Sequence, residues 1–218
     1  MDAGRTRVRL LDAAERLFAA KGFEATSVRD VTAKARANVA SVSYHFGSKE
    51  ALVRAVFERR RGEVNGKRLA LLHGTGRRPA PERILHAFIA PTFELMKEAP
   101  HFIQLMGRFH AEPESPVHEF VTNRCRDVAD QFRRALTAAL PGVPVEDLFW
   151  RMHFVMGALV HTWTCHRDLE RISGGRCSMK DEEEITRKLI AFGAAGLKAP
   201  AGRRAGWAAR PMRAAGGR

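Results

Sequence analysis

Apolar residues recur at helical spacing along most of the chain, and the alternation typical of a strand is scarcely seen. In the first segment the apolar positions are Leu10, Leu11, Ala14, Leu17 and Phe18. They form one stripe of a helix, with charged residues mostly to its sides. Gly22 stands where a left-handed residue would end this helix, and Phe23 after it could fold back on Phe18. The pattern predicts an all-α fold that begins with an amphipathic helix.

Two short helices with a tight turn between them are predicted next. Ser27 can cap the first, with Asp30 completing a capping box. The chain breaks at residues 36–38 and resumes with Asn38 as a cap, and Val39, Val42 and Phe46 then fall on one face. This is helix-turn-helix spacing. The second helix, at about 12 Å, would be comparable with the width of the major groove of DNA.

The residues after this helix are also informative. Gly47 ends the helix and Ser48 caps the next one, which leaves Lys49 beside free backbone N–H groups, where a lysine can bind a phosphate. A solvated surface lysine is equally consistent with that position. The run of arginines at 59–61 is interpreted as a solvated helix face rather than a phosphate contact.

Residues 82–198 form a second helical module. Pro91 is expected to kink or end its first helix. The helix from Val145 to about Ile172 is apolar on more than one face, so it must be broadly buried. The tail at 199–218 is rich in Ala, Gly and Arg and is expected to be disordered.

Composition and charge sharpen the functional reading. The chain of 218 residues has a net charge of +13. Lys and Arg outnumber Asp and Glu by 15 to 8 in residues 1–68, by 17 to 16 in residues 69–198, and by 5 to 0 in the tail. A basic N-terminal module suggests a polyanion partner. No apolar run could span a bilayer, so we expect a cytoplasmic protein without membrane contact.

Residues 5–57 resemble the DNA-binding domain of the TetR family of transcriptional regulators. The segments TSVRDVTAKA, NVASVSYHF and GSKEALVRAVF carry the resemblance. It implies a three-helix DNA-binding domain at 1–50 and a ligand-binding and dimerisation domain at 51–198. One departure is Arg36-Ala37, where the family usually has Gly-Val. A left-handed residue other than glycine there costs roughly 1 to 2 kcal/mol.

The resemblance implies a homodimer on a palindromic operator in double-stranded DNA. The DNA contacts that it predicts are Arg5, Arg7, Thr26, Arg36, Val39, Ala40, Ser41, Ser43, Tyr44, His45 and Lys49. Ser41 and Ser43 are the best candidates for reading base edges. The dimer interface is expected on the last two helices, at Met156, Leu159, Trp163, Leu189 and Phe192.

The C-terminal module is similar to a narrower group, the PsrA-like regulators that respond to fatty acids. This implies a small hydrophobic effector, for which an acyl chain is the leading candidate. The predicted pocket residues are Phe88, Phe93, Met96, Phe102, Met106, Phe109, His110, His153 and Phe154. Arg108 is a further candidate for the effector's head group. Each apolar member also fits an ordinary core position.

Other classes of function receive less support. His161, Cys165 and His166 stand near one helical face and could bind a soft metal, which would make the protein a metal- or redox-responsive regulator. With no fourth ligand evident, a structural role is favoured, and neither a metal nor a cofactor is expected. No motif of a nucleophilic, phosphate-binding or metal-dependent enzyme is present, so an enzyme is the least supported alternative.

Overall fold

The computed structural model describes residues 3–111, 118–123 and 126–200. The described chain is all-helical, as predicted, and contains ten α-helices and no strand. They are α1 (Ala3–Lys21), α2 (Val28–Lys34), α3 (Ala40–Phe46), α4 (Lys49–His73), α5 (Pro81–Glu98), α6 (Pro100–Ala111), α7 (His118–Asn123), α8 (Arg126–Ala139), α9 (Val145–Ile172) and α10 (Glu182–Lys198). The tail beyond residue 200 lies outside the described residues.

The first helices end and begin with the turn and the capping residues that the sequence predicts. Gly22 has φ +85° and donates its N–H to the carbonyl of Phe18, and the rings of Phe18 and Phe23 lie 6.0 Å apart. Ser27 and Asp30 form the reciprocal capping box at the start of α2. Ser48 accepts a hydrogen bond from the N–H of Ala51 and caps α4. These local bonds satisfy backbone groups that helix ends leave open.

The turn between α2 and α3 contains the one non-glycine residue with positive φ in the described chain. Arg36 has φ +51°, and its N–H donates to the carbonyl of Ala33. Asn38 accepts a hydrogen bond from the N–H of Ala40 at 2.9 Å and so caps α3 from two residues away. Gly47, with φ +82°, closes α3. The expected left-handed position is therefore occupied by an arginine.

Two apolar cores support these helices. The N-terminal core is built by α1, α2, α3 and α4 together with α6, and Phe57 of α4 contacts both Phe102 and Phe109 of α6. The C-terminal core is built mainly by α5, α8, α9 and α10. Helix α6 was expected to belong to the second module, but it packs in the N-terminal core. The two cores therefore do not divide at the predicted start of that module.

Helix α5 was expected to kink or end at Pro91, and it does not end there. Pro91 lies inside it, and the helix continues to Glu98. The prolyl ring is buried, and Thr92 and Phe93 beside it are buried as well. Tertiary packing on both sides therefore holds the helix together where proline removes one backbone donor. None of the helices described has the length and apolar character needed to cross a bilayer.

Candidate nucleic-acid interface and ligand cavity

Helix α3 presents one polar side to solvent and anchors the other in the N-terminal core. Val42 is buried, whereas Val39, Ala40 and Ser43 are exposed. Tyr44 is the most prominent, with 80% of its surface accessible. Ser41 is half-buried at the edge of this side. The outer side of α3 is therefore open to a partner along its whole length.

Two further side chains border this surface at the end of α3. The ring of His45 packs edge-on against Tyr44, with 4.9 Å between the ring centroids. Lys49 at the start of α4 lies over the ring of Phe23 at 4.2 Å, and its Nζ donates to the carbonyl of Glu24 at 3.5 Å. Lys49 is thus held at the protein surface with its charge half-exposed.

The structure corrects one predicted DNA contact. Thr26 is completely buried, and its hydroxyl donates to the carbonyl of Gly22 at 2.7 Å. This hydroxyl fixes the turn between α1 and α2, so it is not available to a phosphate. Arg5 and Arg7, the predicted DNA contacts near the N-terminus, are exposed residues of α1. Arg7 lies over the ring of Phe46, 5.2 Å from its centroid.

Two of the arginines at 59–61 have a role that sequence patterning missed. Arg59 donates to Asp12 and Glu15 at 2.7 Å each, and Arg60 donates from Nε to Glu15 at 2.9 Å. Glu15 is 4% exposed. These residues join α1 to α4 rather than forming a solvated face. The sequence does contain one indication of this ion pair. Glu15 falls among the apolar positions of α1, where a buried acid needs a basic partner.

An apolar cavity of about 260 Å³ lies in the C-terminal part of the molecule, between α4, α5, α8 and α9. Its lining is mostly aromatic and aliphatic, with four polar residues from α4, α8 and α9. The lining residues are Asn65, Arg68, Phe88, Val128, Ala129, Phe132, Arg133, Leu136, Leu148, Phe149, Met152, His153 and Met156. Such a space, apolar with a few polar groups, is typical of small-molecule sites.

Only part of the predicted pocket surrounds this cavity. Phe88 and His153 line it, and so does Met156, which was assigned to the dimer interface. Phe93 and Met96 belong to the C-terminal core, Phe102, Met106 and Phe109 pack in the N-terminal core, and Phe154 is exposed. The side chain of His110 lies outside the described residues. The described residues of this set other than Phe88 and His153 do not line this cavity, because helical spacing does not show which face of each helix meets its neighbour.

Arg108 also lies elsewhere than expected. It donates from Nε to the carbonyl of Ala19 at 2.9 Å and from Nη2 to that of Ala20 at 3.1 Å. These carbonyls belong to the last turn of α1, where helices leave acceptors open and favour a positive charge. Arg108 therefore joins α6 to α1 and is engaged away from the cavity.

The predicted dimer residues divide into two groups. Leu159, Trp163 and Leu189 are buried in the C-terminal core of a single chain, so they are not available to a partner. Phe192 is 66% exposed. It belongs to an outer face of α9 and α10 that sequence reasoning did not delimit. This outer face comprises Trp150, Phe154, Gly157, Ala191, Phe192, Ala195 and Gly196, all exposed.

The metal-binding alternative finds no support in the part of the chain that the structure describes. No group of three or more His, Cys, Asp or Glu side chains there is arranged to hold an ion. The ring of His166 is engaged through Nδ1 with the carbonyl of Trp163 at 2.9 Å. Its position is explained by this bond within α9.

Helices α1–α3 define a helix-turn-helix protein, because a tight turn joins α2 to α3 and the outer side of α3 is exposed. Residues 10–56 match the model for bacterial regulatory proteins of the tetR family, and residues 86–196 match the model for the tetracyclin repressor-like C-terminal domain. The chain therefore belongs to the tetR family of bacterial regulatory proteins. Members of this family are transcription regulators and not enzymes.

Individual relatives agree with this assignment. An HTH-type transcriptional repressor of Mycobacterium tuberculosis strain H37Rv and an HTH-type transcriptional regulator of Mycobacterium bovis are each 39% identical over 87 residues. The match covers 39% of this chain and 44% of each relative, so the chain spans under half the length of these curated relatives.

Solved structures share the fold over most of the chain. A TetR-like transcriptional regulator from Rhodococcus sp. RHA1 has a TM-score of 0.65 at 20% identity, over 90% of this chain and 98% of that one. The ketosteroid transcriptional regulator KstR2 of Mycobacterium tuberculosis has a TM-score of 0.64 at 17% identity, over 87% and 93%. At these identities the likeness concerns the fold alone.

Proposed function

We propose that the protein is a dimeric transcriptional repressor that binds a palindromic operator through α3 and leaves it when a hydrophobic effector occupies the cavity. The observation that carries the proposal is the orientation of α3. Val42 anchors the helix while Val39, Ser43 and Tyr44 point outward. An exposed helix of small and hydroxyl-bearing residues can approach base edges closely and hydrogen-bond to bases and phosphates.

The charge around α3 supports the same partner. Lys49 follows α3 directly, Arg36 precedes it, and both Arg29 and Lys34 are exposed on α2. Positive side chains around a recognition helix bind phosphates and fix the register in which the helix meets the groove. Ser43 then remains the candidate for base contact, and Tyr44, His45 and Lys49 the candidates for phosphate contact.

The outer face of α9 and α10 supports a homodimer. Trp150, Phe154 and Phe192 expose aromatic surface. Gly157 follows Phe154, and Gly196 follows Phe192, by about one helical turn, and the open space at both glycines allows close approach of a second helix pair. Exposed apolar patches of this kind mark interfaces. A two-fold axis through this face would pair two recognition helices, and helix-turn-helix dimers bind half-sites about one DNA turn, or a multiple of it, apart.

The cavity supports effector control. It is bounded by α4 on one side, and α4 also carries Lys49 and contacts α3. An effector that binds more tightly when the recognition helices are displaced from their DNA-binding positions would lower operator affinity. The loss is limited by the difference between its affinities for the two arrangements. Repression is proposed because a protein bound at a promoter blocks polymerase, and the Mycobacterium tuberculosis relative is named a repressor.

Enrichment of duplexes from a random library tests this function. The purified protein should select an inverted repeat whose half-sites are about 10 base pairs, or a multiple of that, apart from centre to centre. The same enrichment with the Ser43→Ala variant should select an inverted repeat in which one position of each half-site tolerates more than one base. Selection that never rises above the starting library would contradict the proposal.

A further inference from the structure

We propose that the side chains of Asn38 and Val39, at the start of α3, recognise a thymine in each half-site of the operator. The amide of Asn38 donates a hydrogen bond to O4 of the base, and Val39 packs against the C5 methyl group. Thymine recognition rests on the proposed function, which supplies double-stranded DNA as the partner and α3 as the helix in its major groove.

The amide of Asn38 is oriented by its own capping bond. Its Oδ1 accepts the N–H of Ala40 at 2.9 Å, and its backbone carbonyl accepts the N–H of Ser41 at 2.9 Å. Asn38 is exposed, and the bond to Ala40 leaves the Nδ2 donors for a partner. Because the backbone N–H groups of Ala40 and Ser41 are already bonded, the site consists of side chains and not of the helix terminus.

This capping bond decides which bases Asn38 can recognise. An asparagine that is free on both sides binds adenine, because its oxygen accepts from N6 while its nitrogen donates to N7. The oxygen of Asn38 is directed toward the backbone of α3, so the side chain acts as a donor. A donor matches O4 of thymine and the acceptors of the purines, and it opposes the N4 amino group of cytosine. Asn38 by itself therefore selects against cytosine.

Val39 supplies the second part of the selection. Its exposed fraction is 51%, whereas Val42, three residues later, is 1% exposed. A valine side chain has neither a donor nor an acceptor, so a polar base edge packed against it loses water without gaining a hydrogen bond. Thymine is the base that carries an apolar group in the major groove, its C5 methyl. Contact between this methyl and Val39 removes apolar surface of both from water.

Of the four bases, thymine is the one that matches both side chains. Its major-groove edge presents O4 beside the C5 methyl, as Asn38 and Val39 present a donor beside an apolar group. The purines offer acceptors without the methyl, and cytosine offers a donor. Ala40, which follows, is exposed and has a short side chain, so the start of α3 can approach a base edge closely.

Replacement of thymine by uracil in the enriched palindrome tests the methyl contact, because uracil keeps O4 and the base pair and lacks the methyl. Each thymine is replaced in turn, symmetrically in both half-sites, and the affinity of the full chain is measured by fluorescence anisotropy. At one pair of positions the affinity should fall by roughly 15-fold, about 4-fold for each methyl group removed. An enriched half-site without a fixed thymine would overturn the proposal.

The variant Val39→Ala connects this methyl to the protein. With the valine methyl groups removed, the uracil effect at the same positions should shrink to less than about 2-fold, as expected when both partners of a contact are deleted. Val145→Ala is the matched control, because Val145 is also an exposed valine at the start of a helix, and it should leave the uracil effect unchanged. A full uracil effect in Val39→Ala would overturn the assignment to Val39.

The variant Asn38→Asp tests the donor and keeps the cap, because aspartate caps helices as well as asparagine does. Its outward oxygen is an acceptor and suits the N4 amino group of cytosine. The ratio of affinities for T·A and C·G at the identified position should fall by at least about 10-fold relative to the wild type. Both affinities are measured on one variant, so the repulsion between the new carboxylate and the phosphates cancels. An unchanged ratio would contradict the hydrogen bond from Asn38.

These outcomes are distinct from a failure of the proposed function. A palindrome that is enriched and tightly bound, but is indifferent to uracil at every thymine, would contradict thymine recognition and leave a sequence-specific regulator. A library from which no sequence is enriched would contradict the proposed function and thymine recognition together.

Discussion

Arg60 of α4 donates from Nε to Oε2 of Glu15 in α1 over 2.9 Å, and Glu15 is almost fully buried. Arg59 donates to the same carboxylate oxygen at 2.7 Å. One buried acid therefore neutralises two arginines at the contact between α1 and α4. Since α4 also borders the apolar cavity and contacts α3, this cluster fixes the helix that lies between the cavity and the helix-turn-helix.

Replacement of Glu15 should be costly for stability. Glu15→Gln keeps the shape of the side chain but leaves two partly buried arginines without this counter-charge, and we expect the free energy of unfolding to fall by about 3 kcal/mol. Urea denaturation measures it. Glu63→Gln is the control, because Glu63 is an exposed partner of Arg60, and it should cost less than about 1 kcal/mol. Equal losses for both variants would contradict the central place of Glu15.

The left-handed turn at Arg36 offers a stabilising substitution. Its φ of +51° disfavours any residue with a Cβ. Arg36→Gly should therefore raise the free energy of unfolding by up to about 1 kcal/mol, while Arg36→Ala, which keeps the Cβ, should give no gain. If the arginine binds a phosphate, both variants should lose DNA affinity to the same extent. A loss of stability in the glycine variant would contradict strain at this turn.

The outer face of α9 and α10 can be tested by charge. Phe192→Glu places a carboxylate in the middle of the proposed interface, and we expect the dimer to dissociate to monomers at micromolar concentration in analytical ultracentrifugation. Leu71→Glu changes an exposed leucine of α4 in the same way and should leave the dimer intact. A Phe192→Glu protein that remains dimeric would place the interface elsewhere.

The capping box of α2 should make stability depend on pH. The backbone N–H and then the hydroxyl of Ser27 hold the pKa of Asp30 below its ordinary value of 3.8. Because the pKa is lowered on folding, the contribution of this acid is present above the unfolded-state pKa and disappears as pH falls through the folded-state pKa. The wild type should exceed Asp30→Asn in stability near neutral pH, and the difference should shrink in acid. A difference independent of pH would contradict this role.

Local features were predictable from the sequence, and features set by packing between helices were not. Gly22, Ser27, Gly47 and Ser48 act on neighbours within a few residues, so their caps and turns could be predicted, and the helix-turn-helix with them. Thr26 was misassigned because a threonine at a helix start also suits a buried hydrogen bond.

The cavity depended on information that the sequence pattern does not contain. Phe102 and Phe109 are apolar residues at helical spacing and were predicted to line the pocket. In the structure, α6 places both rings against Phe57 in the N-terminal core. Arg68 was overlooked although it interrupts the buried stripe of α4. Helical spacing shows which residues share a face, and only the arrangement of the helices shows what that face meets.

Fluorescence anisotropy of the protein with its enriched palindrome and with a scrambled duplex tests most directly the proposal that α3 reads DNA sequence. Affinities are measured at several salt concentrations, because phosphate contacts alone already give salt-dependent binding. We predict that the palindrome binds at least about 1,000-fold more tightly than the scrambled duplex at physiological salt. Equal affinities that fall equally steeply with salt would contradict sequence reading by α3.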